Sequence, residues 1–289
     1  MLANINTEDA MLVPVVRNDF TTSQSGVSFT AACFAGPGKE WSLAPFQEPG
    51  DVKKNPVLAG KLREALVSLG ADRLYAPSPV EFNGEIVEPT MLSRPFILGN
   101  GVLLFRNPKV PADGTFLRDT GDAGIFSAGG CGVIVAVLGE RLIFAHMGRD
   151  CLIDRKRIEH NYCSRINESV VDSIVDTFLE HDPNADLREM QAWIFYSIWP
   201  EDFLHRYDDV VHAHYNRKVG PDLEQRGLGA GVRKTAEGVE LDLPVVAKRQ
   251  FIQLGVPESN ISLEHGYLAE ELPHTRRGGG RYLVAIVRH

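Results

Sequence analysis

Phe126-Ser-Ala-Gly-Gly-Cys131-Gly-Val-Ile-Val-Ala-Val-Leu-Gly-Glu-Arg-Leu-Ile-Phe-Ala-His146-Met-Gly148 places two β-rich runs on either side of Leu138-Gly139, which is the pattern of a β-hairpin. A turn centred between residues 138 and 139 predicts the facing pairs Val137–Glu140, Val135–Leu142, Val133–Phe144 and Cys131–His146. Directly opposed residues have Cβ atoms about 4.5–5.5 Å apart and share a face, so this register sets a thiol beside an imidazole. An imidazole can take the thiol proton or stabilise the thiolate, turning a weak nucleophile into a strong one. Gly130 and Gly132 let a substrate approach the backbone, and amides there would polarise a carbonyl oxygen. Sulfur and nitrogen are also zinc ligands. The plainer alternative makes Cys131 a buried small hydrophobe and His146 a satisfied residue at a strand end.

Outward from the hairpin, short strands and amphipathic helices alternate irregularly. Strands are expected at Val27–Phe34, Ala192–Ile198, Ile261–Leu263 and Tyr282–Val287. Helical spacing of apolar residues predicts helices over Pro56–Leu69, Asn167–Leu179 and Leu243–Leu254, the first and last closed by glycine. Residues 71–111, rich in proline, read as edge strands and loops. Residues 201–215 read as helical, and 217–238 as a glycine-rich charged connection. The fold class is α+β or mixed α/β, with mixed β-sheets and flanking helices.

The whole chain of 289 residues is expected to form one domain, with a variable N-terminal segment over 1–26 and an insertion over 147–166. Hydrophobic residues at 44% and charged residues at 24% exclude a disordered, collagen-like or coiled-coil chain. Thirty basic residues against 38 acidic ones give a formal charge of −8, unsuited to general nucleic-acid binding. No apolar run is long enough for a membrane span, and Met1-Leu-Ala-Asn-Ile does not begin a secretory signal. Cysteines at 33, 131, 151 and 163 are too sparse for a disulfide framework, so a cytoplasmic location is expected.

Ala112-Asp-Gly-Thr-Phe-Leu-Arg-Asp-Thr-Gly-Asp-Ala-Gly-Ile-Phe-Ser-Ala-Gly-Gly-Cys131 resembles the stretch leading to the T-A-D-C motif of the laccase-domain (polyphenol-oxidase-like, YfiH-like) family. His146-Met-Gly-Arg resembles that family's H-A-G-W-R-G. Leu187-Arg-Glu-Met-Gln-Ala-Trp-Ile-Phe-Tyr-Ser-Ile, Leu241-Asp-Leu, Gln253-Leu-Gly-Val and Arg276-Arg-Gly-Gly-Gly-Arg281 follow in the order of its C-terminal pattern. The resemblance spans residues 110–289 and implies an α/β protein with a Cys/His zinc site. It also implies chemistry at C–N bonds: purine nucleoside phosphorolysis, adenosine deamination or peptidoglycan-precursor editing. The family's zinc site uses a further histidine upstream, whereas this chain has none before His146. Gly130 replaces the acid of T-A-D-C, and the tryptophan and second glycine of H-A-G-W-R-G are absent. A zinc would therefore have Cys131 and His146, with Glu81 as the nearest third candidate. Gly129-Gly-Cys131 with His146-Met-Gly148 is equally similar to the related cytotoxic necrotizing factor deamidases, which work without metal.

The resulting expectation is an enzyme, a hydrolase or transferase, acting at a C–N bond of a nucleoside or amide. Cys131 would be nucleophile or ligand, and His146 base or second ligand. Gly130 and Gly132 would line the substrate, and Arg276, Arg277 and Arg281 would bind its anionic part. No cofactor is required, zinc being an option. The alternatives are a metal-independent deamidase acting on a protein glutamine, and a pseudoenzyme that keeps the fold as a binding module. His212-Ala-His214 would share a strand face as a metal pair but lacks a third ligand. Arg155-Lys-Arg157 reads as a solvated face, Cys151 and Cys163 as ordinary thiols, a redox pair or residues lining the pocket, and Trp193, Phe195, Tyr196 and Trp199 as core.

Overall fold

Val133, Val135 and Val137 alternate with Ile134, Ala136 and Leu138, and all six are buried, in two different cores. A strand with both faces covered must lie inside a layered molecule. The computed structural model describes residues 14–35, 41–79, 84–92, 95–160, 162, 167–269, 272, 274–275 and 279–289. Its strands in chain order are β1 (Val16–Thr21), β2 (Ser28–Phe34), β3 (Arg73–Tyr75), β4 (Ile86–Val87), β5 (Pro95–Gly99), β6 (Val102–Phe105), β7 (Gly114–Leu117) and β8 (Asp122–Ala128). They continue as β9 (Gly132–Leu138), β10 (Arg141–Met147), β11 (Gln191–Phe195), β12 (Leu204–Arg206), β13 (Val232–Lys234), β14 (Gly238–Leu241), β15 (Ile261–Ser262) and β16 (Tyr282–Arg288). The helices are α1 (Asp51–Lys54), α2 (Pro56–Val67), α3 (Arg149–Leu152), α4 (Arg155–His160), α5 (Val170–His181), α6 (Ala213–Gln225) and α7 (Leu243–Gln253).

The strands form a mixed sheet in the order β1-β2-β16-β8-β3-β6-β5, a second mixed sheet β15-β11-β9-β10-β7-β4, and a small antiparallel sheet β12-β14-β13. One core lies between the two large sheets and includes Phe29, Val135, Phe144, Phe195 and Val284. The outer face of the first sheet packs on Leu62 and Leu66 of α2. The outer face of the second packs on α5, α6 and α7 through Ile174, Val219 and Val246. The class is therefore mixed α/β, as the sequence implied.

The hairpin forms, but its register differs from the expected one. Arg141 pairs with Leu138 and His146 with Val133, so the turn is Gly139-Glu140. Gly139 has φ +57° and Glu140 does not have positive φ, the pattern of a hairpin turn with glycine first. The slip is two residues, and since side chains alternate with period two, faces are preserved.

Other expectations are corrected. β3 is interior to its sheet, between β8 and β6, not an edge. Residues 201–215 hold β12, with α6 starting only at Ala213. The supposed loop 217–238 continues α6 through Gly220-Pro221, because Tyr215, Val219 and Leu223 present a narrow buried stripe. His212 and His214 thus sit at the start of a helix, not on a strand. Arg155 and Arg157 are partly buried rather than solvated: Arg157 pairs with Asp222 at 2.6 Å, tying α4 to α6. Trp199 is 40% exposed, stacked on Tyr267 at 4.4 Å, and is not core. No described helix is long and apolar enough to cross a membrane.

The two large sheets touch closely where Gly124 of β8 faces Phe144 of β10: a Cβ on Gly124 would lie 2.4 Å from the ring. Gly124→Ala is expected to lose about 1–3 kcal/mol of stability by overpacking, read as a lower urea midpoint. Gly50→Ala, where a Cβ meets nothing within 4 Å, is the control and should change stability by less than about 0.5 kcal/mol. An unchanged midpoint in Gly124→Ala would contradict this packing.

Candidate active site

His146 ends β10 on the face shared with Phe144 and Leu142, the face that looks into the gap between the sheets. Two registers converge on it. From β9, Cys131 lies one residue before the strand and on the same face as Val133, which opposes His146. Cys131 and His146 are therefore diagonal neighbours, whose backbones sit about 7–8 Å apart with side chains able to meet. From β7, Leu117 pairs with Leu142 and Gly114 with Ala145. Continuing that ladder brings Asp113 directly opposite His146, and the His146 amide donates to the Asp113 carbonyl at 2.7 Å.

The side chains complete the arrangement. His146 Nδ1 lies 3.1 Å from Asp113 Oδ1, and the Cys151 thiol donates to the same oxygen at 3.2 Å. The other carboxylate oxygen accepts from the Gly84 amide at 2.7 Å. A ring nitrogen facing a carboxylate carries the proton, which leaves Nε2 as the nitrogen available to Cys131, whose thiol is close enough to favour the protonated ring. Phe126 stacks on the imidazole at 4.1 Å, and this fixes the ring plane. Asp113 and Cys151 are 0% exposed and His146 is 1% exposed, whereas Cys131 is half-buried. The thiol is the member of the group that reaches solvent.

Burial opposes a charge on His146, but Cys151, Asp113 and Cys131 together raise its pKa well above the ordinary value. Burial also pushes the Cys151 thiol up to about 12.

Three successive carbonyls of the cysteine turn are tied into the protein. Thr275 donates to Gly129, the Ile198 amide to Gly130, and the Tyr282 hydroxyl to Cys131. Gly130 has φ +139°, and a Cβ there would stand 2.8 Å from Ile198, so glycine is required. A cavity of about 460 Å³ opens beside Cys131 and His146 and is lined also by Gly130, Phe126, Arg106 and Arg281. Gly132 lies instead inside β9 against the Phe195 carbonyl and serves packing.

Arg281 reaches the cavity and donates to the Ser127 carbonyl at 3.1 Å. Arg276, Arg277, Glu81 and Cys163 lie outside the described residues. Sequence reasoning missed Asp113 and Arg106, and offered Cys151 only as one of several readings of a thiol that could line the pocket. Asp113 carries no local signal, because its partner strand is reached only past two intervening strands. Cys151 had one: it follows His146 by five residues across Gly148, close enough for one helical turn to fold it back.

Asp113, His146 and Cys151 bring an oxygen, a nitrogen and a sulfur to within 4.8 Å of one another, a donor set suited to zinc. Cys131 is not in any such group of three among the described residues.

No protein-family model matches the sequence, and no curated protein matches it. Solved structures do. YlmD from Geobacillus stearothermophilus is 19% identical, with a TM-score of 0.55 over 90% of this chain and 92% of that one. The hypothetical protein YfiH from Bacillus licheniformis is 16% identical, with a TM-score of 0.52 over 90% and 92%. NMB0706 from Neisseria meningitidis, of family DUF152, is 12% identical, with a TM-score of 0.55 over 94% and 98%. At these identities the likeness is one of architecture: the chain has the mixed α/β fold of YlmD, YfiH and NMB0706, the fold that the laccase-domain resemblance implied.

Proposed function

We propose that the chain is a cysteine hydrolase that cleaves the C–N bond of a small amide at Cys131. The observation that carries this reading is Asp113: a buried carboxylate on Nδ1 of His146, with a half-buried thiol as the imidazole's other partner. Nucleophile, base and orienting acid in that order constitute a triad by geometry and role. The Cys131 thiolate attacks the amide carbonyl carbon, forming a C–S bond, and the oxyanion is held by amides of the Gly129–Cys131 turn. The His146 imidazolium donates its proton to the departing nitrogen as the C–N bond breaks. Water, deprotonated by His146, then attacks the thioester and releases the carboxylic acid and the Cys131 thiol. An amide is favoured over a purine nucleoside because thiolate attack needs an acyl carbon. Deamination by activated water would instead call on a metal ligated by Cys131. The cavity volume suits a small molecule or one side chain rather than a peptide strand.

Two outcomes are expected. In an amide panel read by ammonia or amine release, Cys131→Ser and His146→Ala should each lower turnover by roughly three orders of magnitude or more, with the double variant hardly worse. Asp113→Asn should cost roughly a hundredfold or more by leaving the ring wrongly protonated. Wild-type rates in Cys131→Ser would move the chemistry elsewhere. Secondly, elemental analysis after dialysis against a weak chelator should find well under one zinc per chain. A metal at Asp113, His146 and Cys151 would have to displace a thiol proton held to about pH 12 in a fully buried position. One tightly held zinc would contradict the hydrogen-bonded reading of that group.

A further inference from the structure

We propose that the cavity beside Cys131 recognises its substrate by an anionic group, a carboxylate or a phosphate, held by Arg106 together with Arg281. The inference rests on Cys131 being the reacting group only for its corollary, that the substrate is a small anionic amide.

The cavity lining carries two arginines and a histidine but, among the described residues, no aspartate or glutamate. That is a departure for a chain with 38 acidic residues against 30 basic ones. Arg106 follows directly on β6 and is 8% exposed. Elsewhere in this chain partly buried arginines meet acids: Arg73 meets Asp122, Arg149 meets Asp150 and Arg157 meets Asp222. Arg106 instead donates to neutral groups, the Phe46 carbonyl at 3.2 Å and the Pro77 carbonyl at 3.5 Å. Burial lowers its pKa to about 10, with no acid among the described residues acting to restore it, so it remains a cation at neutral pH. A guanidinium presents five N–H donors in a planar fork, and two carbonyls leave most of that fork unused. A buried cation without a counter-charge is costly unless something pairs with it. A carboxylate or phosphate entering the cavity supplies the missing charge in the bidentate geometry that arginine favours. Arg281, anchored through Ser127, adds a second cation on the same cavity.

The test compares two alkylating reagents of nearly the same size, anionic iodoacetate and neutral iodoacetamide, with Cys131 labelling read by peptide mass spectrometry. The ratio of their rates is referred to the same ratio for glutathione. In the wild-type protein, iodoacetate is expected to be favoured by roughly tenfold or more relative to glutathione. Arg106→Met should return the ratio close to that of glutathione, and Arg281→Met should lower it less. Because Arg106→Met removes a buried group, calorimetric titrations of the wild-type protein with glutarate and with inorganic phosphate provide a second reading. Binding of glutarate alone identifies the anion as a carboxylate, and binding of phosphate alone as a phosphate; either supports the site. A wild-type ratio equal to that of glutathione, with neither anion bound, would overturn the proposal. If Cys131 reacts slowly with both reagents while an anion still binds, the hydrolase reading fails and the anion site stands.

Discussion

A carboxylate with no solvent contact is the constraint on which the rest of this structure depends. Asp113 is 0% exposed, so its charge must be matched inside the protein. Its partners come from three separate places: the Gly84 amide, the His146 ring at the end of β10, and the Cys151 thiol on α3. Removing one partner of such a buried group costs about 3–5 kcal/mol, because the other charge stays behind. The contact therefore holds β7 to β10 at their open ends and draws the first turn after β10 back beneath the histidine. With Phe126 against its other face, the ring has little freedom, and Cys131 meets an imidazole whose orientation is already set.

Much of this could be read from residue order, and the failures have physical causes. The hairpin was recognisable because β-branched and glycine residues alternate in blocks, and the face of each side chain follows from period two alone. The register did not follow, since Leu138-Gly139 and Gly139-Glu140 are both acceptable turn centres and only the backbone decides. Cys131 and His146 survived that error because the slip was even. Asp113 was not legible: the ladder from β7 to β10 passes over β8 and β9, and no local pattern specifies a non-local pairing. α6 was hidden by Gly220-Pro221, a turn signal overridden by the packing of Tyr215, Val219 and Leu223. Trp199 was misplaced because an aromatic residue can satisfy itself by stacking on the surface, as it does with Tyr267.

The placement of charge ties stability to chemistry. With its pKa raised in the folded state, His146 stabilises the fold fully below its unfolded value of about 6.5. That contribution is lost as pH rises through the higher folded value. The same imidazolium is the proton donor that the departing nitrogen requires. Asp113 and Cys151 are sealed, while His146, Cys131, Arg106 and Arg281 line the cavity. The protein thus separates a dry orienting layer from a layer that meets substrate.

The most direct measurement is a titration of the His146 ring nitrogens by ¹⁵N NMR, in the wild-type protein and in Asp113→Asn. The expected wild-type result is a ring protonated on both nitrogens at pH 7 that titrates well above the ordinary histidine value of about 6.5. Asp113→Asn should titrate lower, because Cys151 then opposes burial without the carboxylate's hydrogen bond. A wild-type ring that titrates at or below about 6.5, or one that Asp113→Asn leaves unchanged, would contradict the claim that Asp113 charges and orients the histidine for Cys131.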